Sequence, residues 1–369
     1  MKTRKRGASK ISRTLLEIYL DCPRKWYYYN HPDIPKKTDY KRLCGIAVHK
    51  HISQLYKPTS TARPLFYKDK KSAVGAWFNR WHRELDKARE LNRIVLDAEL
   101  TKEYGKIGAI CVANYWNQNI NLTRPTAVER LYETTLGIGV TLKGIVDQIR
   151  IAPLEWIARH RPDAVEKGKL KDEFDPAVAV DLKTDSRSFD FKKDGGEIPA
   201  AEKARRQYKL HENLQATLYC YLYEKATGKK PIGFLWYHLR SGKMFFTFRD
   251  ERDYATLFGA IDHYRESISG ESFPKHVNSQ CDFCDYLEIC RADRNFLVSR
   301  AEEFPENPAG VEIVPNLIRK NQYQQLRLRL KVERSKAQTT VQISPENKLE
   351  IAEKRILMLP DFPWDERRE

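Results

Sequence analysis

Two short motifs place carboxylates at the ends of apolar segments of this chain. Asp147 ends the motif that begins at Gly144, and Asp181 is followed by Leu182 and Lys183. Mg²⁺ and Mn²⁺ prefer oxygen ligands and retain water for chemistry. Asp181 and Lys183 share one face of a predicted strand, because side chains alternate with a period of two. This pattern favours a metal site where Lys183 orients or deprotonates an attacking water and balances the charge on a phosphate.

Three further side chains could join such a site. His49 ends the motif that begins at Gly45 on a predicted helix, and an imidazole suits Mn²⁺ as an additional ligand. Gln215 and Tyr219 lie one helical turn apart on one face, within reach of a base edge or a phosphate. Each pattern alone also fits an ordinary structural role: carboxylates that end strands in solvent, a structural histidine, and a helix-face pair without function.

Four of the seven cysteines have unusual positions. Cys22 stands alone near the beginning of the chain, whereas Cys281, Cys284 and Cys290 lie close together far downstream. In a basic chain without secretory features we expect reduced thiols, so the quartet indicates a metal or cluster site and not a disulfide framework. Zn²⁺ and an iron–sulfur cluster both accept four thiolates. The remaining three cysteines fall in apolar helical patterns and are predicted core residues: Cys44, Cys111 and Cys220.

The predicted elements that must position these residues begin with helices, and the first strands follow them. Two apolar segments meet at Gly137, which predicts a β-hairpin carrying Asp147, and a short buried strand carries Asp181. The charged segment 153–176 is predicted to be a long hairpin loop or an insertion. The predicted helices are 12–29 with an interruption at Cys22, 45–56, 71–118, 203–227 ending at Gly228, and 253–269; the predicted strands are 127–136, 139–151, 177–182 and two within 231–249.

The charge of the chain indicates a polyanionic partner. The 369 residues carry a formal net charge of +16, with 41% hydrophobic residues, so we expect a folded protein that binds nucleic acid. No apolar segment approaches the roughly 20 residues of a membrane span, which argues against a membrane partner. The basic residues 1–6 precede no apolar segment and are not a secretory signal, so we expect a cytoplasmic protein. No P-loop is present, and any unwinding would need a helicase partner.

The order of these motifs resembles that of a known family. G-x-x-x-H, G-x-x-D, (D/E)-x-K and Q-x-x-x-Y follow one another between Cys22 and the three downstream cysteines. This order is similar to the RecB-like branch of the PD-(D/E)XK nucleases. More narrowly, it looks like the members with an iron–sulfur cluster, which include CRISPR-associated four-cysteine exonucleases and the nuclease modules of bacterial helicase–nuclease complexes. The resemblance covers residues 12 to about 291.

The resemblance implies a mixed α/β restriction-endonuclease-like fold, with a central sheet flanked by helices, and a role for each motif residue. Lys183 would serve the attacking water, Gln215 and Tyr219 would position the DNA strand, and the four cysteines would hold a [4Fe–4S] cluster. Glu129, on the strand before Asp147, would be an accessory carboxylate. The implied ligands of Mg²⁺ or Mn²⁺ are His49, Asp147, Asp181 and the backbone carbonyl of Leu182.

The chain departs from the family pattern at two places. Asp181 stands where Glu is commoner, which shortens the side chain by one methylene and changes the metal geometry. The spacing from Lys183 to Gln215 is longer than expected, so a loop from Asp185 to Arg206 could reshape access to the site.

The expected activity is metal-dependent hydrolysis of DNA, as an exonuclease acting on single strands or duplex ends, in repair, recombination, phage or CRISPR-related processing. One alternative is a catalytically silent DNA-end-binding subunit of a helicase–nuclease complex, and a second is a zinc-stabilised nucleic-acid-binding protein. The predicted organisation is an N-terminal helical region (1–126), a nuclease core (127–270), a cysteine region (271–300) and a basic C-terminal extension (301–369).

Overall fold

The computed structural model divides into two compact units. The larger unit comprises Lys37–Tyr254 and Ile343–Glu369, and the smaller one comprises Met1–Lys36 and Ala255–Gln342. The structure describes residues 10–32, 34, 38–56, 69–91, 93–117, 122–137, 139–185, 198–278, 281–292 and 356–358. The expected basic extension, apart from residues 356–358, and most of the expected loop between Asp185 and Arg206 lie outside these residues.

Apart from one short strand, five helices come first in the described part of the chain, and the later helices and strands are interspersed. The helices are α1 (Arg13–Asp21), α2 (Pro23–Asn30), α3 (Tyr40–Ser53), α4 (Lys70–Glu90), α5 (Ala98–Trp116), α6 (Leu154–His160), α7 (Ala200–His211), α8 (Leu214–Thr227), α9 (Glu251–Ser269) and α10 (Leu287–Ala292). The strands are β1 (Lys10–Ser12), β2 (Ala127–Thr135), β3 (Thr141–Ile151), β4 (Val165–Glu166), β5 (Lys169–Leu170), β6 (Phe174–Lys183), β7 (Lys230–His238), β8 (Lys243–Thr247) and β9 (Ile356–Met358).

A mixed sheet forms the centre of the larger unit. Its strands lie in the order β2-β3-β6-β7-β8-β9, and β6–β7 is the parallel pair, whereas the others are antiparallel. Parallel neighbours need a crossover, and here α7 and α8 lie between β6 and β7 in the chain. The mixed α/β fold with a central sheet flanked by helices confirms the predicted fold class.

The two faces of β6 have different surroundings. Val178, Val180 and Leu182 are buried in one hydrophobic core with residues of α3, α4 and α5. Side chains alternate along a strand, so Asp181 and Lys183 point to the opposite face. On that face α8 packs against β2, β3 and β7. The alternation therefore separates an apolar core on one face from polar chemistry on the other.

Aspartate caps fix the beginnings of the three helices that cover this core. Asp39, Asp69 and Asp97 are the N-caps of α3, α4 and α5, and each accepts a hydrogen bond from a backbone N–H three residues later, at 2.6, 2.7 and 2.8 Å. Such caps satisfy N–H groups that have no acceptor within the helix. The cap at Asp97 also explains why the predicted helix 71–118 is two helices.

Two more predictions of secondary structure were wrong. Of the two alternatives for the segment 153–176, the long loop is wrong, because α6, a 3₁₀ turn and the small β4–β5 hairpin occupy most of it, whereas an insertion is compatible with these elements. The predicted helix 203–227 is interrupted, since α7 ends at His211 and α8 starts anew behind the N-cap Asn213. The predicted stop at Gly228 is confirmed, with φ of 76° at that residue. Glycine adopts this left-handed conformation without strain.

The smaller unit is built around aromatic contacts. Pro23 begins α2 directly after Cys22, where a missing N–H leaves no helix hydrogen bond unmade. Trp26 stacks on Phe273 at 5.3 Å between ring centroids and meets Tyr264 edge-on at 5.5 Å. Tyr19 donates a hydrogen bond to Ser267. These contacts hold α1 and α2 against α9 and the segment that follows α9.

A helix that spans a membrane must be long and apolar. Among the described helices, none combines the length and the apolar character that crossing a bilayer requires.

Candidate active site and cysteine centre

The central sheet brings the two motif aspartates to neighbouring strands. Gln148 on β3 pairs with Val180 on β6, and continuing this antiparallel register places Asp147 opposite Asp181. Residues directly opposite each other in an antiparallel pair point to the same face. The sheet itself therefore directs both carboxylates toward one site.

Asp147 is held by contacts from two other elements. Its Oδ1 lies 3.3 Å from Nδ1 of His49 on α3, and its Oδ2 accepts a hydrogen bond of 2.8 Å from the backbone N–H of Leu182. Burial alone would raise the pKa of Asp147, but His49 and the N–H of Leu182 outweigh burial and lower it. Burial would lower the pKa of His49, and the Asp147 carboxylate outweighs that effect and raises it. The pair therefore favours a charged carboxylate.

Asp181 is only 3% exposed and contacts two polar side chains. Nζ of Lys183 lies 2.7 Å from its Oδ2, and Nε2 of Gln215 donates a hydrogen bond to its Oδ1. Lys183 also donates to Oε1 of Gln215 at 2.9 Å. Asp181, Lys183 and Gln215 thus form a closed set of three polar contacts. Such pairing is what a carboxylate needs when it is withdrawn from water.

The start of α8 determines where Gln215 lies. Asn213 is the N-cap, and its side chain accepts a hydrogen bond of 2.8 Å from the backbone N–H of Gln215. Gln215 is therefore in the first turn of α8, a position that the predicted continuous helix from 203 to 227 would not have given.

Two motif glycines allow close approach of neighbouring elements. A Cβ on Gly45 would lie 2.9 Å from Oγ1 of Thr184, so glycine lets α3 approach the end of β6. A Cβ on Gly144 would lie 2.7 Å from Cε1 of Tyr219, so glycine makes room for that ring against β3. The spacing of glycine and functional residue in each motif therefore has a packing cause.

Tyr219 and Glu129 are the two remaining predicted site residues. Each lies on an element that packs against or pairs with β3, the strand of Asp147. The Tyr219 ring is buried against Gly144 and lies 6.1 Å from the Phe234 ring. Glu129 lies opposite Asp147, because Val128 pairs with Gln148 and Arg130 pairs with Val146. Its φ of 44° is uncommon for a residue other than glycine, and strained backbone of this kind is concentrated at functional sites.

The donor atoms fit a hard cation in type but not in their present spacing. Within the described ranges, no group of three or more His, Cys, Asp or Glu side chains is arranged to hold a metal ion. Asp147, Asp181, His49 and the Leu182 carbonyl supply the oxygen and nitrogen ligands that suit Mg²⁺ or Mn²⁺. Protein contacts now engage both carboxylates, so a bound ion would have to displace at least one of them.

The smaller unit brings the four predicted cysteines to one cavity. Cys22, Cys281, Cys284 and Cys290 all line it, although more than 250 residues separate the first from the others in the sequence. Lys25 and Lys275 line the same cavity. Four sulfur donors around one cavity fit either Zn²⁺ or an iron–sulfur cluster by ligand type.

Backbone N–H groups point at two of these sulfur atoms. The N–H of His276 donates to Sγ of Cys22 at 3.4 Å, and the N–H of Asn278 donates to Sγ of Cys281 at 3.1 Å. Hydrogen bonds to sulfur are among the contacts by which a protein tunes a metal or cluster site. Burial raises the pKa of the Cys284 and Cys290 thiols, so metal binding there would have to release protons. The remaining cysteines are buried in the larger unit as predicted, and burial raises the pKa of each thiol to about 12: Cys44, Cys111 and Cys220.

Sequence reasoning missed two residues that touch the predicted set. Asn213 caps α8 beneath Gln215, and its signal was the Asn immediately before an apolar helical segment. Trp236 on β7 lies with its ring 4.6 Å from Nζ of Lys183. It sits in a continuous apolar strand, where nothing in the local pattern distinguishes it from a core residue.

Comparison with known proteins identifies the family. A search of curated proteins finds no significant match. The family model of the PD-(D/E)XK nuclease superfamily matches residues 10–158 and 161–291, which is well over half of the chain. The matched ranges include both motif aspartates, Lys183, Gln215 and all four cysteines of the cavity. The chain therefore belongs to the PD-(D/E)XK nuclease superfamily.

Proposed function

We propose that this protein is a metal-dependent deoxyribonuclease of the RecB-like branch that degrades DNA from an end. The observation that carries the proposal is the convergence of two sets of polar contacts on β3 and β6, linked by the backbone N–H of Leu182, which donates to Asp147. One set is the pair of His49 and Asp147, and the other is formed by Asp181, Lys183 and Gln215. Four elements that are distant in sequence, two helices and two strands, supply these residues in a chain of a nuclease superfamily. Strand ends that merely faced solvent would not need partners of this kind.

In this proposal the ligands of Mg²⁺ or Mn²⁺ are Asp147, Asp181, His49 and the Leu182 carbonyl, with Glu129 as an accessory carboxylate. The cation, when bound, supplies Lewis-acid stabilisation of the phosphate. The backbone N–H of Leu182 holds Oδ2 of Asp147 in place by a contact that does not depend on His49. The site therefore retains a fixed carboxylate on which the other ligands can assemble.

In the proposed reaction, Lys183 is the residue that acts on the attacking water. Asp181 and Gln215 hold its ammonium at the surface of the sheet, with the Lys183 side chain 21% exposed. An ammonium at this place can orient the attacking water and balance the negative charge that grows on the phosphate. Partial exposure gives substrate access, whereas the buried Asp181 behind it fixes the position.

The substrate of the proposed reaction is DNA with a free end. The formal net charge of +16 favours binding to phosphates. Gln215, which contacts Asp181, and Tyr219 occupy successive turns of α8, and this pair accompanies exonuclease activity in the resembling nucleases. We place the activity in repair, recombination, phage or CRISPR-related DNA processing in the cytoplasm, with a helicase or recombination protein as a partner.

We further propose that the four cysteines hold a [4Fe–4S] cluster. The support is their shared cavity and the two N–H groups directed at sulfur. A cluster there would join Cys22 to residues far along the chain, so its binding would stabilise the fold. Zn²⁺ is the alternative occupant, and metal analysis of the anaerobically purified protein separates the two.

Three DNA forms test the proposed activity. Linear single-stranded DNA, linear duplex and circular single-stranded DNA are incubated with anaerobically purified protein and Mg²⁺ or Mn²⁺. We expect loss of at least one linear form, none of the circle, and no reaction in EDTA. Cleavage of the circular DNA would show that the protein is an endonuclease and not the proposed exonuclease. Binding of linear DNA without cleavage would support the silent end-binding subunit of a helicase complex instead.

A further inference from the structure

The ammonium of Lys183 has a third neighbour besides Asp181 and Gln215. Its Nζ lies over the ring of Trp236, 4.6 Å from the ring centroid. An ammonium within about 6 Å of an aromatic face is attracted by the ring quadrupole, and indole is the strongest of the aromatic side chains in this respect. The contact is therefore an attractive one.

The pairing of strands makes this contact a property of the fold. β6 and β7 are parallel neighbours, and Asp181 pairs with Trp236 in their register. Paired residues point to the same face of a sheet, so Trp236 lies on the face that carries Asp181 and Lys183. The strand that pairs with β6 therefore brings the ring to the ammonium that Asp181 and Gln215 also contact.

The choice of tryptophan at this position has a cost in stability. Trp236 is 1% exposed, and its indole N–H has no hydrogen-bond acceptor among the residues that the structure describes. An unpaired buried donor is destabilising. Phenylalanine would fill much of the same space without that donor, so packing alone gives no reason for an indole. The stronger attraction of indole for the Lys183 ammonium does give one.

We propose that Trp236 is a positioning residue that holds Lys183 in its working place. The proposal rests on the role of Lys183 in the proposed nuclease reaction. The lysine side chain has four rotatable bonds and is costly to immobilise. The carboxylate of Asp181, the amide of Gln215 and the indole of Trp236 together confine the ammonium. The lysine side chain therefore meets the attacking water without having to change its conformation.

Kinetics of two variants test the effect on the reaction. Trp236→Leu is expected to lower kcat about tenfold while KM for DNA stays within about twofold, because the ring acts through Lys183. Trp236→Phe keeps a weaker aromatic contact and is expected to give a kcat between those of wild type and Trp236→Leu. Leu235→Ala is the matched control, since Leu235 is its neighbour on β7 but is buried in the core on the other face. It should lower stability and leave kcat unchanged.

A readout that needs no activity tests the contact itself. Lysine ε-methylene groups are labelled with ¹³C in the full-length protein, and the signal of Lys183 is identified by its loss in Lys183→Arg. A proton above an indole face is shifted upfield, and this shift should disappear in Trp236→Leu and persist in Leu235→Ala. An inactive wild type with the upfield signal would overturn the proposed nuclease but not the contact. An unshifted signal, or equal kcat in wild type and Trp236→Leu, would overturn the role of Trp236.

Discussion

The imidazole of His49 lies 3.3 Å from a carboxylate oxygen of Asp147, although the two residues belong to separate motifs nearly 100 residues apart. Helix α3 reaches this place because Gly45 has no Cβ to collide with Thr184. Both side chains are ligands of the same cation in the proposed site.

Loss of His49 should weaken metal binding more than it weakens DNA binding. For His49→Asn we expect the Mn²⁺ concentration for half-maximal activity to rise by about tenfold, the order of magnitude for losing one contributor to a metal site. The effect should be smaller with Mg²⁺, which accepts nitrogen less readily. Titration of activity with each metal measures it. His82→Asn, at an exposed position on α4, is the control, and an equal response of both variants would contradict the role of His49.

Gly144 should be intolerant of a side chain because of Tyr219. The added methyl group in Gly144→Ala would lie 2.7 Å from the ring and 3.0 Å from Cδ1 of Leu222. Overpacking of this kind costs about 1 to 3 kcal/mol in free energy of unfolding, measured by urea titration. In a Tyr219→Ser background the cost of Gly144→Ala should become much smaller. Additive effects of the two substitutions would show that the ring is not what excludes the methyl group.

Replacement of a cavity cysteine should remove colour and stability together. Cys22→Ser and Cys284→Ser are expected to lose iron, visible absorbance and thermal stability in the same preparation, since each would lose one of four ligands. Cys44→Ala is the matched control and should keep its iron, because Cys44 is buried in the larger unit. Iron analysis with absorbance spectra measures the outcome. A colourless wild-type protein with stoichiometric zinc would show that the four cysteines bind zinc and not a cluster.

His51 should make stability depend on pH. Burial lowers the pKa of His51 to about 4, from 6.5 in the unfolded chain. Between these values the unfolded state binds more protons, so stability should fall as the pH decreases from about 6.5 to 4, by about 3 kcal/mol in total. The free energy of unfolding at pH 7.5 and pH 5 measures part of this loss. His51→Gln should show a smaller difference between these pH values, and His82→Gln should match wild type. An unchanged pH dependence in His51→Gln would contradict the assignment.

The sequence predicted those strands and turns for which alternation of apolar side chains or a turn residue was the dominant local signal. The hairpin at Gly137 and the buried strand carrying Asp181 follow from alternation and turn chemistry, and the structure has β2, β3 and β6 there. The joint between α7 and α8 was missed because both helices share an apolar period, and a single Asn cap separates them. Asn213 before an apolar segment was a local signal of this joint, but asparagine also occurs inside helices, and its hydrogen bond with the N–H of Gln215 is what identifies the cap.

The residues of the site were predictable as types, whereas their contacts were not. The motif order named His49, Asp147, Asp181, Lys183 and Gln215, which the structure brings together. Trp236 was not found, because its contact with Lys183 depends on the register between β6 and β7. Register is set by long-range packing and cannot be read from either strand alone.

The proposed role of Lys183 is tested by the rate at which Lys183→Ala degrades end-labelled DNA. We expect the rate to fall by at least about 100-fold, the usual effect of losing a proton-transfer group, with DNA affinity and iron content close to wild type. Lys106→Ala removes an exposed lysine from α5 and should leave the rate unchanged. A Lys183→Ala protein that degrades DNA within a few-fold of the wild-type rate would contradict the account.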